Sequence, residues 1–570
     1  MTSDNYTPDG GDAVVGAFDA IGSDYLFCAS GSEWAPVWES LARRHRDGRP
    51  APRYLDLLHE TVAVGMATGY GLVTRRAQGV LLHAGPGLLQ GSMAVHGALL
   101  AGVPMVVASA ESITYGDGPG PDPGGQWYRN LSFVGGMQSI AAPFTKWANQ
   151  VGSVSILPAM ITRAAELAQR APAGPVYLDI PVEVLLDAWT GPEPKPLVAK
   201  GSHISVTDEM QRVLDLLAHA ENPVIVTETT GREPGGLAAL VEFAEALRIP
   251  VVEPNSAVCA NFPRTHELHA GGDIGPFLDT ADLILLVNCR APFYPPSRRP
   301  AKATIVVLDE VPQRPHIVYQ VLFADLYLEG GVAATLRALA ALAREQGMST
   351  AADESPRRAT QLVRHADEVQ AIEQAEARAG SAAAIDPVLV AATLRRLLAD
   401  EDPIVVDETI THSRVVQRHL RRETPDSYFY VQGGLGQGIA VALGVKLAAP
   451  ARTVVFTVGD GAYLYNPIVQ SLHASKAHDL PVLIVVFNNR KYLSMQMNHL
   501  RFYPDGAAVH TGEWLGVDLS TQPDPARFAE PFDFHTETVT TASDLEAALD
   551  RALKSVRGGT TAVVDVAVSR

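Results

Sequence analysis

Runs of five to seven apolar residues, separated by amphipathic stretches, recur along this chain, as in VPMVVAS at 103–109, PVIVT at 223–227 and PVLIVVF at 481–487. A strand that alternates sides would be half polar, whereas a run apolar throughout belongs to a strand covered on both faces. Parallel strands covered by their own crossover helices meet that demand. The reading places strands at 25–28, 77–83, 103–109 and 174–180, then at 223–227, 250–253, 283–288 and 303–308. A last set falls at 403–406, 453–458, 481–487 and 561–566. The expected fold class is α/β, with three successive open parallel-sheet α/β domains. Boundaries are expected at 1–190, 191–345 and 385–570, with a helical linker rich in Ala, Glu and Arg at 346–384 that wraps a neighbour.

Charge narrows the class of partner. Lys and Arg number 45 against 63 Asp and Glu, a net charge of -18. That field repels nucleic acid and anionic membranes, so any phosphate must be held locally by backbone amides, helix ends or a metal. The apolar runs fall short of the roughly 20 residues a bilayer needs. Residues 1–12 are polar and acidic, unlike a secretion signal. Three scattered cysteines, Cys28, Cys259 and Cys289, form no ligand cluster, and the expected location is the cytoplasm.

The most informative motif is Gly459-Asp460-Gly461 followed, after 26 residues, by Asn488-Asn489. Each closes an apolar strand, with a helix expected between them at 465–478. Two glycines allow a tight turn that projects Asp460 beyond the strand's carboxyl end. Two oxygen donors at neighbouring strand ends suit a hard octahedral cation such as magnesium holding a diphosphate. Taken singly, each motif is an ordinary α/β turn.

Together they resemble the thiamine diphosphate signature, and the chain is similar over nearly its whole length to the acetolactate synthase and benzoylformate decarboxylase group. The resemblance implies thiamine diphosphate and Mg2+ as cofactors, with Gly459, Gly461, Ala462 and Asn489 at the cofactor. Asp460, Asn489 and the backbone carbonyl of Lys491 would hold the metal. It matches Glu60, in His59-Glu60-Thr61-Val62-Ala63, to the glutamate that hydrogen-bonds the aminopyrimidine and lets the cofactor activate itself. Alone, Glu60 reads as a surface helix carboxylate; the small face Ala63, Gly65, Met66, Ala67 and Gly69 predicts burial against another subunit. In the run 431–439, Leu435 matches the apolar wedge between the cofactor rings and Gly433 the carbonyl that binds its amine; read alone, the run is a flexible loop before a helix. Thr411 and His412 are candidates for the distal phosphate, with N-cap roles for Thr409 or Thr411 equally open.

Two residues bear on the reaction. His83 resembles a proton-transfer histidine, the alternative being a structural residue at a strand end. Ser32 matches a serine that contacts the substrate carboxylate, with N-capping by Ser30 or Ser32 as the alternative. The Gly/Pro-rich loop 115–127 reads as a lid, and 490–499 as an apolar substrate wall or a solvent-facing helix. The resemblance implies decarboxylation of a 2-oxo acid through an enamine. Its alternatives are acetolactate synthase-like carboligation, a 2-hydroxyacyl or benzoin-type lyase, and, in another class, a catalytically silent cofactor-binding regulatory subunit. Self-association as a dimer of dimers is implied, because the domains carrying Glu60 and Asp460 meet across two chains in this group. Whether the central domain binds a flavin or a nucleotide is left open by the sequence.

Overall fold

The structure is a computed structural model describing residues 6–29, 31–198, 203–254, 257–290, 292–293, 298–300, 302–315, 317, 323–349 and 357–569. Ser30 and 350–356 of the linker therefore lie outside the described residues.

Three parallel sheets follow one another, as the apolar runs require. The first contains β1 (Tyr25–Ala29), β2 (Arg53–Asp56), β3 (Gln78–Leu82), β4 (Met105–Ser109), β5 (Ala148–Gln150) and β6 (Pro175–Asp179), in the order β2-β1-β3-β4-β6-β5. The second contains β7 (Pro223–Thr227), β8 (Val251–Val252), β9 (Leu283–Val287), β10 (Thr304–Asp309) and β11 (Leu326–Glu329), in the order β11-β10-β9-β7-β8. The third contains β12 (Ile404–Glu408), β13 (Tyr428–Tyr430), β14 (Val454–Gly459), β15 (Leu483–Asn488), β16 (His535–Val539) and β17 (Ala562–Ala567), ordered β13-β12-β14-β15-β17-β16. Every interior strand coincides with an expected one. The five strands not expected (β2, β5, β11, β13 and β16) are all sheet edges. An edge strand has fewer covered positions, so its sequence loses the apolar continuity: β5 and β16 are largely exposed or half-buried.

The chain forms two compact units, one of Met1–Lys200, Val431–Ala451 and Leu464–Pro481, the other of Gly201–Tyr430, Arg452–Tyr463 and Val482–Arg570. In the first, the helix Glu60–Thr74 crosses the helix Gly438–Ala448 at backbone distance: a Cβ on Gly69 would lie 1.9 Å from the Val441 carbonyl oxygen, and one on Gly444 2.0 Å from that of Met66. The small face expected against another subunit is thus buried within the same chain, because only glycine permits this approach. In the second unit, the linker contains the helix Arg357–Ser381, whose Glu376 takes paired hydrogen bonds from Arg395.

Among the described residues no helix is long and apolar enough to cross a membrane.

Candidate active site

The expected site residues form two groups, one in each unit. In the first unit, β1 and β3 are neighbours, so the loops leaving their carboxyl ends meet. The Trp34 indole N–H donates to the Leu82 carbonyl at 2.9 Å and fastens one loop to the end of β3. His83 follows β3, and its Nδ1 lies 3.0 Å from both carboxylate oxygens of Glu33. Glu33, only 4% exposed, also accepts the Ala84 N–H at 3.0 Å. The hydrogen bond to Glu33 raises the His83 pKa above its ordinary value; burial opposes it, and the charges of Glu33 and Glu60 add to it. Gly31 is required here: a Cβ would sit 2.0 Å from His83 Nδ1.

Glu60 opens its helix, where a carboxylate faces the positive end of the dipole. The turn is closed by His59, whose Nδ1 accepts the Thr61 N–H at 3.1 Å. Glu60 and His83 flank Gly87: a Cβ there would lie 3.0 Å from Glu60 Oε1 and 3.2 Å from His83 Cβ. Ser32 Oγ accepts from Gln126 Nε2 at 3.3 Å. The cap position before the turn Ser32–Trp34 is held by Gly31 without a side-chain bond, so Ser32 is not an N-cap. The structure thus brings Glu60, His83 and Ser32 together. It adds Glu33, which the sequence reading passed over; a carboxylate two residues after a strand-end glycine was the only signal.

Gln126 lies near the end of the Gly/Pro-rich loop. Glu183 pins the residues just before that loop, accepting 2.7 Å bonds from the Ser112 and Thr114 hydroxyls, and Trp127, its last residue, is buried. The span 116–122 is exposed or half-buried between these anchors. Gly433, at φ +100°, lies against Gly97, and a Cβ on Gly434 would meet the Met93 sulfur at 2.5 Å; Leu435 between them and Gly436 is half-buried.

In the second unit, β14 ends at Gly459 and Asp460 begins a short helix, Asp460–Tyr465. The helix expected at 465–478 is found at Ile468–Ala477, which belongs to the first unit, and the short helix Asp460–Tyr465 precedes it. Neither Gly459 nor Gly461 has a positive φ, so neither serves a left-handed turn. Gly461 is demanded by close approach instead, since a Cβ would fall 2.4 Å from the Tyr492 ring.

Asp460 is 5% exposed; Oδ1 accepts the Gly461 N–H at 2.9 Å, while Oδ2 is buried without a hydrogen-bond partner. Burial pushes its pKa up to about 6, against the pull of the Gly461, Arg490 and Lys491 amides. Asn489 Oδ1 accepts the Lys491 N–H at 3.0 Å. Asn488 donates from Nδ2 to Asp565 on β17 at 2.9 and 3.2 Å and accepts the Arg490 N–H at 3.1 Å. Asp565, whose pKa burial raises to about 6, therefore fixes the turn that presents Asn489. It is the second residue missed in the sequence, although an aspartate inside the apolar run AVVDVA was its signal.

Thr409 donates its hydroxyl to buried Asp407 at 2.7 Å rather than capping, and Thr411 and His412 form the short turn Ile410–His412 ahead of the helix Ser413–Leu420. His412 Nε2 is buried without a partner, and burial lowers its pKa, leaving a neutral imidazole at pH 7. The wall expected at 490–499 contains the start of helix Leu493–Phe502, which has no buried residue.

These donors fit a hard divalent cation carrying a diphosphate. Asp460 Oδ2 is a buried anionic acceptor lacking a donor, and Asn489 and the Lys491 carbonyl supply neutral oxygen, a set suited to magnesium.

Comparison with known proteins identifies the family. Residues 8–133 match the N-terminal TPP binding domain of thiamine pyrophosphate enzymes, 210–339 the central domain and 409–566 the C-terminal TPP binding domain. The chain belongs to the thiamine diphosphate enzymes. Within that family it is 28% identical to benzoylformate decarboxylase of Pseudomonas aeruginosa, over 89% of this chain and 90% of that protein. It is equally 28% identical to the large subunit of acetolactate synthase isozyme 3 of Escherichia coli, over 90% and 87%. In structure it resembles the thiamine diphosphate-dependent 4-hydroxybenzoylformate decarboxylase of Rhodococcus jostii RHA1, with TM-score 0.78, 25% identity and coverage of 98% and 99%.

In this thiamine diphosphate enzyme the Glu33 carboxylate accepts from His83 Nδ1 and so fixes the orientation of the imidazole. Glu33→Gln removes the counter-charge, so the His83 pKa is expected to fall. NMR titration of the labelled imidazole measures this. A His83 pKa unmoved by the substitution would remove Glu33 from this role.

Proposed function

We propose that this enzyme decarboxylates a 2-oxo acid, using thiamine diphosphate and Mg2+. The observation that carries the reading is the placement of Glu60 and His83 on either side of Gly87, with Glu33 behind the imidazole. When bound, thiamine diphosphate supplies a carbon nucleophile and an electron sink next to the substrate carbonyl. Glu60 holds a proton at the aminopyrimidine ring nitrogen. His83 Nε2 gives a proton to the carbon left by departing carbon dioxide, and the Glu33 hydrogen bond that raises its pKa favours the protonated ring. Ser32 Oγ orients the substrate carboxylate. Leu435 and Gly433 position the cofactor rings, Thr411 and His412 its distal phosphate. Gly459, Gly461 and Ala462 line the diphosphate, and Asp460, Asn489 and the Lys491 carbonyl hold the metal.

Asp460→Ala is expected to weaken magnesium and thiamine diphosphate binding together by at least about 10- to 100-fold. Calorimetry checks this, and unaltered affinities would contradict the metal assignment.

The reaction itself is tested with a panel of 2-oxo acids, from pyruvate to phenylglyoxylate, assayed for carbon dioxide with and without an acceptor aldehyde. Aldehyde as the product in both series supports decarboxylation. A hydroxyketone retaining the acyl unit would favour carboligation, a second reading supported by the equal likeness to an acetolactate synthase large subunit.

A cytoplasmic homotetramer completes the proposal. Cys28, Cys259 and Cys289 are buried and form no disulfide among the described residues, in keeping with a reducing compartment. Sedimentation as a 60.8 kDa monomer would count against the tetramer.

A further inference from the structure

The second unit contains a cavity of about 230 Å3 among residues that take no part in the site above. It lies where residues 264–269 of the central domain meet the helix Arg357–Ser381 and the end of the helix Ser413–Leu420. His269 is bridged to Val251 of β8, the outer strand of its sheet. The crevice where open α/β sheets take nucleotides is at the reversal of strand order, here between β7 and β9, so this cavity is a different place.

Its lining is rich in nitrogen donors. Arg264, Arg418, Arg421, His269 and His365 face one lining carboxylate, Glu368. Glu368 is fully engaged by Arg418, through two 2.9 Å hydrogen bonds. Arg264 comes only within 3.5 Å of Glu253, a buried carboxylate that also accepts from the Asn261 N–H at 3.0 Å and meets His269 Nε2 at 3.2 Å.

Arg421 is the least satisfied. Its Nε is buried without a hydrogen-bond partner, and its Nη2 stands 3.8 Å from Glu376. Glu376 is already committed to Arg395, at 2.7 Å through both oxygens, and to His419 at 2.9 Å. Arginines 264, 395, 418 and 421 thus share three glutamates, 253, 368 and 376, with Arg395 and Arg421 dividing Glu376 between them. In a chain of net charge -18 such an excess is local and held by packing.

A buried guanidinium N–H without an acceptor is costly, and its planar fork matches carboxylate and phosphate oxygens. The cavity is smaller than the ~300–1,000 Å3 typical of pockets for larger organic ligands, which excludes a nucleotide. We propose that this cavity binds a small dianion bearing phosphate or carboxylate oxygens, with Arg421 as its main ligand and Arg264 and His365 completing the cradle. The anion bridges the central domain and the two helices, so its binding stabilises the folded chain.

The test uses enzyme saturated with thiamine diphosphate and magnesium, so that the cofactor site is occupied. Inorganic phosphate and, separately, succinate are titrated by calorimetry at constant ionic strength, with chloride as the reference anion. Saturable heat with either supports the proposal, phosphate alone pointing to a phosphorylated effector and succinate alone to a dicarboxylate. Arg421→Gln is expected to weaken the binding by roughly tenfold or more. His365→Ala is the second variant; its one hydrogen bond, to the His269 carbonyl, is long at 3.4 Å, so its removal leaves the fold intact while weakening anion binding. Absence of saturable heat with both anions, or wild-type affinity in both variants, would overturn the proposal.

Discussion

Glu60→Gln is expected to retain thiamine diphosphate yet lose turnover by about 10²- to 10⁴-fold, the range that a positioned proton-transfer group contributes. The substitution is nearly isosteric and the helix start is secured independently, by His59 rather than by Glu60. The carboxylate makes no hydrogen bond to the described residues, so an amide in its place leaves no protein donor or acceptor stranded. What the amide cannot do is exchange a proton with a ring nitrogen. Calorimetry with thiamine diphosphate and magnesium, paired with carbon dioxide release from the best 2-oxo acid, separates binding from chemistry. Intact turnover would remove Glu60 from the mechanism, and lost binding would make it a cofactor anchor.

Gly444→Val is expected to destabilise the first unit by about 3 kcal/mol or more, the upper range for overpacking a core. Ordinarily, replacing a helical glycine gains up to about 1 kcal/mol. Here the new Cβ would stand 2.0 Å from the Met66 carbonyl oxygen and 2.7 Å from its carbon, atoms of a helix backbone that cannot rotate aside. Gly69 faces the Val441 carbonyl in the same way, so the two helices have little freedom to separate without undoing the first turn of the other contacts. Gly380, in the helix Arg357–Ser381 with open space around it, is the control: Gly380→Ala should be neutral or slightly stabilising. Urea unfolding of both variants measures the contrast, and equal midpoints would refute the backbone-contact account.

The legibility of this chain follows burial. β9 and β15 are covered on both sides and read as apolar runs. β5 (ANQ) and β16 (HTETV) lie at sheet edges, and nothing in their composition separates them from loops. The same holds at the site. The strand-end positions of Gly459, Asp460, Gly461 and Asn489 were legible because two motifs at one spacing close two apolar runs, a pattern contained in a short window. Glu33 and Asp565 were not, because each acts on a residue far along the chain: Glu33 on His83, 50 positions away, and Asp565 on Asn488, 77 positions away.

By itself, then, the sequence determined the α/β class, the interior strands and the family, since apolar continuity and strand-end motifs are local properties. Only the tertiary structure decided that the small face of the Glu60 helix is buried by Gly438–Ala448 of the same chain, that Gly461 yields space to Tyr492 rather than making a turn, and that Glu33 stands behind His83. Those outcomes depend on which distant segments come within a few ångströms, and such proximity is set by the order of strands in a sheet and the closeness of two helix backbones.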